Sequence, residues 1–314
     1  MPIKIPNSLP ARQTLENENI FVMTETRAMH QDIRPLKLLI LNLMPTKIVT
    51  ETQLLRKLSN TPLQIEIEFL KTMSHTSSHI DPYHMDEFYV GLEDIKDKYY
   101  DGFIITGAPL ELVETSEIDY WDELCAIMDW SRQNAHCTLH LCWGALAGLQ
   151  YHFGIKKHTI QEKISGVFAH KALKPNSPIF RGFDDTFFVP QSRFFSLRED
   201  DLKSEKDLEI LAVSEETGPC IVKTQDSRQF FVTGHFEYDA NTLKEEYERD
   251  IARGLSPKIP AHYFPDDNPA LAPQNTWRSA GQLFYTNWLN YYVYQTTPYT
   301  LTKESIKGTS CDKD

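Results

Sequence analysis

Residues 136–150, HCTLHLCWGALAGLQ, constrain the fold of this chain more than any other stretch. Thr138, His140 and Cys142 alternate with Cys137, Leu139 and Leu141, the two-residue period of a strand. After Trp143-Gly144 the residues become alanines, a glycine and leucines, which suits a helix packed closely on a sheet. A strand that stops at Cys142 and turns at once into a helix sets one thiol on a sharp elbow, at the positive end of that helix. A cysteine placed there loses its proton more readily than the reference value of about 8.5 allows. An isolated cysteine in an apolar run is more often an inert part of the core, so the elbow alone does not establish chemistry.

The flanking segments repeat the strand-then-helix theme. Leu36-Lys37-Leu38-Leu39-Ile40-Leu41-Asn42-Leu43 reads as a buried parallel strand, and Thr46 as the start of a helix reaching about Leu58. Ile65, Ile67 and Phe69 alternate with Glu66 and Glu68 as a second strand, a helix is expected over residues 84–98, and residues 101–106 form a third strand. A long helix over residues 116–133 precedes the cysteine strand. This alternation predicts an α/β fold, a mostly parallel sheet sandwiched by helices in three layers. Beyond residue 155 the pattern loosens into a polar stretch. Strands follow near residues 187–189, 208–213, 220–223 and 229–233, then a charged helix over 241–254. Residues 255–275 hold five prolines and read as an ordered loop before a last aromatic-rich helix over 277–294, whose Trp288 and Tyr291-Tyr292 suit core or subunit contacts. The division expected is an N-terminal arm (1–35), a single catalytic domain with insertions (36–300) and a C-terminal tail (301–314).

The formal net charge of −12 disfavours nucleic acid or an anionic membrane as the main partner. No stretch approaches the roughly 18 apolar residues of a membrane span, and the first residues lack the apolar segment of a secretion signal. The five cysteines (Cys125, Cys137, Cys142, Cys220, Cys311) are odd in number and scattered, without the spacing of a disulfide framework. A cytoplasmic protein is expected.

A partner for Cys142 comes nearly a hundred residues later. The strand Phe230-Phe231-Val232-Thr233 leads into Gly234-His235-Phe236-Glu237, and in an extended segment His235 and Glu237 share a face. A histidine beside a cysteine can take its proton, and a carboxylate beside the histidine fixes its tautomer and supports its charge. Together they make a nucleophile, base and orienter, recognised by role. The turn Thr106-Gly107-Ala108-Pro109-Leu110 follows a strand, so the amides of Leu110 and Trp143 are candidate donors to a developing oxyanion; Pro109 has none. His136, Cys137, His140 and Cys142 are all soft ligands, but four residues of strand cover about 13 Å, too far for one ion, so no metal is expected. Neither a phosphate-binding GxxxxGK[ST] loop nor a strand-linked GxGxxG fingerprint occurs.

The cysteine elbow, the H-x-E and the glycine turn resemble the class I glutamine amidotransferase fold. More closely, residues 1–300 resemble the homoserine O-acyltransferases of methionine biosynthesis built on that fold. The stretches MPIKIPNSLPA, LILNLMPTKIVTETQLLR, TGAPLE, LHLCWGA, VPQSR and GHFEYD carry the likeness. It implies Cys142 as the acyl-accepting nucleophile, His235 as general base and Glu237 as its supporting carboxylate. It further implies substrate-binding roles for Lys163, Ser192 and Arg249, the last suited to a bidentate grip on the homoserine carboxylate. Relatives that use succinyl-CoA carry glycine where this chain has Glu111. Two like charges near 4 Å cost about 4 kcal/mol at an effective dielectric of 20, roughly a thousandfold in rate, so a carboxylate at Glu111 would turn away succinate's distal carboxylate. The resemblance therefore implies acetyl transfer from acetyl-CoA as cosubstrate to L-homoserine, with no resident cofactor; a homodimer formed through aromatic surface is expected. Succinyl transfer and glutamine hydrolysis are the alternatives.

Overall fold

Successive side chains leave a strand on opposite faces, and here both faces are apolar. The structure is a computed structural model and describes residues 3–6, 8–17, 23–24, 34–75 and 81–298. Its strands are β1 (Ile3–Ile5), β2 (Met23–Thr24), β3 (Leu36–Leu41), β4 (Ile65–Leu70), β5 (Tyr89–Val90) and β6 (Tyr100–Ile105). Then come β7 (Ala135–Leu141), β8 (His158–Ala172), β9 (Phe187–Ser196), β10 (Leu208–Ser214), β11 (Gly218–Thr224) and β12 (Gln229–Val232). In β3, Leu36, Leu38 and Ile40 enter one core while Leu39 and Leu41 enter another; in β12, Phe230 and Val232 part from Phe231 in the same way.

Helices cover both faces, as a two-sided apolar sheet requires. On one side lie α1 (Ala11–Asn17), α2 (Lys47–Leu58) and, late in the chain, Arg278–Asn287, which bring Leu15, Leu54, Leu55, Leu58 and Phe284 to the first core. On the other lie α3 (Trp121–Asn134) and α4 (Trp143–Phe153), which bring Leu124, Ile127, Met128, Ala145 and Leu149 to the second. The strand order is β2-β1-β4-β3-β6-β7-β12-β11-β10-β8-β9, with β5 beside β4. Pairings are parallel from β2 through β12 and antiparallel from β12 to β9. The chain thus adopts the expected α/β arrangement of a mostly parallel sheet between helical layers.

Several elements differ from the sequence reading. The opening residues are not an irregular arm throughout: β1 pairs with β4, and Ile5, Leu9, Ala11 and Leu15 are buried, an apolar spacing hidden among prolines and charges. The polar stretch after residue 155 is the 15-residue β8, paired with β9 in an antiparallel ribbon whose first half is largely solvated and so carries no apolar alternation. β9 runs seven residues past Val189, through Pro190; it is the last strand in the order, where a missing N–H is tolerated. The helix expected over 84–98 is two short ones, Pro82–Phe88 and Leu92–Ile95, split by β5 and Gly91. The helix expected from residue 116 begins at Trp121, after a tight turn over Thr115–Glu117. The last helix becomes a wider turn over Trp288–Tyr294; Trp288 and Tyr292 are buried core. No helix among the described residues is long and apolar enough to cross a membrane. The tail expected over 301–314, with Cys311, lies outside the described residues.

Candidate active site

The carboxyl ends of β6, β7 and β12, side by side in the sheet, converge on one point, the edge where parallel sheets hold ligands. β7 delivers Cys142 at φ +50°, ψ −115°, a conformation that costs a non-glycine residue about 1–3 kcal/mol. Two bonds hold it there: its N–H donates to Val232 O at 2.7 Å, and its carbonyl accepts from Leu146 N at 3.1 Å. Gly144 is required by contact: a Cβ there would sit 2.6 Å from Thr106 O, so the first turn of α4 rests directly on the end of β6.

β12 stops at Val232, so His235 and Glu237 do not sit on an extended strand as expected; they occupy the turn after it. The turn still brings them together, with His235 Nδ1 2.7 Å from Glu237 Oε1. That leaves Nε2 for the Cys142 thiol, which is in hydrogen-bonding contact with the ring. Burial opposes charge on the imidazole, but Cys142 and Glu237 beside it outweigh burial and carry its pKa well above the ordinary value. The ring stacks on Tyr238, centroids 4.1 Å apart. Behind the pair, Tyr285 donates to Glu237 Oε2 at 3.4 Å, and Lys57, lowered by burial to about 8 against the pull of Glu237 and Asp239, adds a cation.

Cys142 and His235 open on a cavity of about 740 Å³ that is also lined by Glu111, Lys163, Ser192 and Arg249. Residues spread over more than a hundred positions of sequence therefore share one space. Glu237 sits behind His235, outside that wall. Lys163 Nζ lies 3.0 Å from Glu246 Oε2, Ser192 donates to the same oxygen at 2.5 Å, and Tyr238 donates to Oε1 at 2.8 Å. Burial would raise the Glu246 carboxyl, but Lys163, Ser192 and Tyr238 hold it below its ordinary value. Arg249 spends Nε and Nη2 on Asp250 Oδ1, at 3.0 and 2.9 Å, and its side chain is half-exposed at the cavity wall.

The sequence reading missed Glu246, Tyr238, Lys47 and Arg193. Glu246 was findable, since it precedes Arg249 by three residues and so shares its helix face. Lys47 lines the cavity with Nζ bonded to Asn42 O, its pKa lowered by burial to about 8 against the pull of Glu51. Arg193 gave no signal, because an arginine in a strand reads as surface. It is fully buried, donating to Gln191 Oε1 at 3.0 Å, Thr217 O at 2.7 Å and Phe195 O, and it makes no ion pair among the described residues. Burial lowers its pKa to about 10, opposed by the thiols of Cys142 and Cys220. His136 and His140 stay on β7, the first bonded to Thr296 Oγ1 at 2.9 Å, the second stacked on Phe231.

The two expected oxyanion donors differ in their surroundings. The Leu110 N–H donates to Ala108 O at 2.8 Å in a three-residue turn bent by Pro109, so it is already engaged. Trp143 is the first residue of α4, where a helix N–H has no partner inside the helix. Gly107 faces it: a Cβ on Gly107 would lie 3.2 Å from Cys142 Cβ and 3.5 Å from Trp143 N. Gly107→Ala should therefore crowd the space in front of the thiol. We expect kcat to fall by about tenfold or more with an unchanged thermal midpoint, measured by steady-state rates and calorimetry. Full activity in that variant would remove Gly107 and Trp143 from the site.

The family described as homoserine O-succinyltransferase matches residues 2–299. A homoserine O-acetyltransferase of Acetivibrio thermocellus is 55% identical over 303 residues, covering 96% of this chain and 99% of that protein. One from Methanomethylophilus alvi is also 55% identical, over 96% of this chain and 98% of its own length. Among solved structures, a glutamine amidotransferase from Thermotoga maritima superposes with a TM-score of 0.53 at 12% identity, covering 84% of this chain and all of that one. That likeness assigns the fold to the class I glutamine amidotransferase type and carries nothing on activity.

Proposed function

The chain belongs to the homoserine O-succinyltransferase family and is an acyltransferase, and we propose that it moves an acetyl group from acetyl-CoA to the hydroxyl of L-homoserine through a thioester on Cys142. The observation that carries this reading is the buried Cys142–His235–Glu237 arrangement opening on a cavity walled by Glu111, Lys163, Ser192 and Arg249.

In the first step Cys142 Sγ attacks the acetyl carbonyl carbon, and the carbon–sulfur bond to CoA breaks. His235, charged in the resting site, passes its proton to the departing CoA sulfur. The negative oxygen that forms on the way is met by the helix-end amide of Trp143. In the second step His235 Nε2 takes the proton of the homoserine hydroxyl. The oxygen bonds to the acetyl carbon, Cys142 leaves as thiolate, and the imidazolium is restored. Glu237 stays charged throughout and holds the ring with Nε2 toward the sulfur. Initial rates should give parallel reciprocal plots for acetyl-CoA and homoserine; intersecting lines would mean that both substrates must bind before chemistry.

Arg249 suits the homoserine carboxylate, and Glu246, one turn earlier on the same helix, suits its ammonium. Arg249→Lys keeps the charge and removes the planar fork. The KM for homoserine should rise about tenfold while the KM for acetyl-CoA stays within twofold.

Glu111 supports acetyl as the group carried, since its carboxyl lines the cavity that holds the Cys142 thiol. Burial pushes that carboxyl above its ordinary value, against its own backbone N–H, Lys163 and His235, which pull it down. A raised carboxyl loses its charge at higher pH than an ordinary one. The preference for acetyl-CoA over succinyl-CoA should therefore narrow as pH falls and widen as it rises. The ratio of the two kcat/KM values across pH measures this, and a flat ratio would rule out charge as its cause.

A further inference from the structure

We infer that a second groove, between residues 161–165 of β8 and the loop over residues 255–261, seats the pantetheine arm of the acyl donor. This assignment rests on the acyl-CoA reading above. The groove encloses about 510 Å³ and shares Lys163, Phe194, Asp250 and Leu255 with the Cys142 cavity, so the two spaces meet along a common wall. A donor whose thioester reaches Cys142 must lead a long, narrow arm out of that cavity, and this groove continues from it.

The backbone of the groove suits such an arm. The β8–β9 register runs from Thr159 opposite Phe195 to Ile164 opposite Arg193. One residue of β9, Phe194, therefore stands against four of β8, residues 160–163, a bulge in the ribbon. Pantetheine alternates two amides with short hydrocarbon links. An extended ligand of that kind can bond to a strand's backbone through its own amides, in the manner of an added strand. Among charged and polar neighbours such as Glu216 and Asp250, the lining includes the apolar or aromatic side chains of Phe168, Phe194, Tyr247, Leu255 and Ile259. Leu255 is 59% and Ile259 40% exposed, apolar area left to water until something covers it.

The wall is preformed. Ala261 N donates to Ser165 O at 2.9 Å and Val167 N to Ala261 O at 2.9 Å, tying the proline-rich loop to β8. Gly166, at φ +151°, permits that approach, because a Cβ there would lie 2.3 Å from Ala261 O. Lys258 pairs with Glu162 between the two walls, both exposed, a pair that opens at little cost.

The test is Ile259→Asp, at an exposed position where folding is not at stake, with Ile259→Leu beside it. Three donors are compared: acetyl-CoA, acetyl-pantetheine and thiophenyl acetate, which has the thioester but no arm. In Ile259→Asp the KM for acetyl-CoA and for acetyl-pantetheine should rise tenfold or more. Acetyl-pantetheine lacks the nucleotide phosphates, so its response separates loss of the arm's seat from repulsion of phosphate. Thiophenolate release from thiophenyl acetate and the KM for homoserine should stay within twofold of wild type, and Ile259→Leu should restore the acetyl-CoA KM. An unchanged acetyl-CoA KM, or an equal fall with all three donors, overturns the groove. If Cys142 of the unaltered protein is acetylated by none of the donors, the acyl-transfer reading fails beneath it, and mass mapping of Cys142 tells the two failures apart.

Discussion

Cys142→Ala should lower the rate of homoserine acetylation by about 10⁴-fold or more, with binding of homoserine little changed. Residues that act as one nucleophilic unit fail together, and what survives is the contribution of binding and of donors aimed at the oxyanion. In this protein the unit is compact. The sulfur meets the His235 ring, the ring is fixed by Glu237 at 2.7 Å, and Tyr285 closes the far side of that carboxylate. Alanine removes the sulfur and leaves the elbow, because the bonds from Cys142 N to Val232 O and from Leu146 N to Cys142 O are made by backbone. The variant should therefore fold with a circular dichroism spectrum and thermal midpoint close to wild type. Folded protein without measurable transfer is the expected outcome, read by release of free CoA thiol in the presence of homoserine. A residual rate within tenfold of wild type would mean that homoserine attacks the donor directly, with His235 alone as base.

Glu111→Gly should move donor preference toward succinyl-CoA by up to about a thousandfold, the factor that corresponds to 4 kcal/mol between like charges near 4 Å at an effective dielectric of 20. The carboxyl lies on the wall of the Cys142 cavity, where Lys163 and His235 favour its charged form and Glu246 opposes it. Its removal does two things: it takes away the repulsion of a distal carboxylate, and it opens the room that the side chain filled. Glu111→Gln separates charge from room, since it is neutral and nearly the same size. If charge decides, Gln and Gly variants both accept succinyl-CoA, and Gly accepts it better. If only Gly does, the pocket selects by room. Side-by-side kcat/KM values for the two donors in the three proteins decide between these.

What the sequence made legible, and what it hid, divides along physical lines. The elbow at Cys142 was readable because a strand buried on both faces followed by small helix residues has few other meanings, and the structure places β7 and α4 there. His235 and Glu237 were readable as a pair by their spacing, although a turn and not a strand brings them together. β8 was missed because a half-solvated ribbon needs no apolar alternation, and that strand builds both the wall that carries Lys163 and the second groove. Arg193 was missed because its burial depends on acceptors contributed by β9 and by Thr217, which no local pattern announces. The hydrogen bond from Leu110 N to Ala108 O, within a proline turn, was equally hidden from the sequence. Local periodicity reports burial, whereas it does not report which polar partners a side chain finds, near in sequence or remote.

The most direct measurement is the intact mass of the protein after brief exposure to acetyl-CoA without homoserine, followed by peptide mapping. The peptide that carries Cys142 should gain one acetyl group, and homoserine added afterwards should remove it with the appearance of O-acetyl-L-homoserine. Product formed at the normal rate while Cys142 never carries the acetyl group would contradict the account.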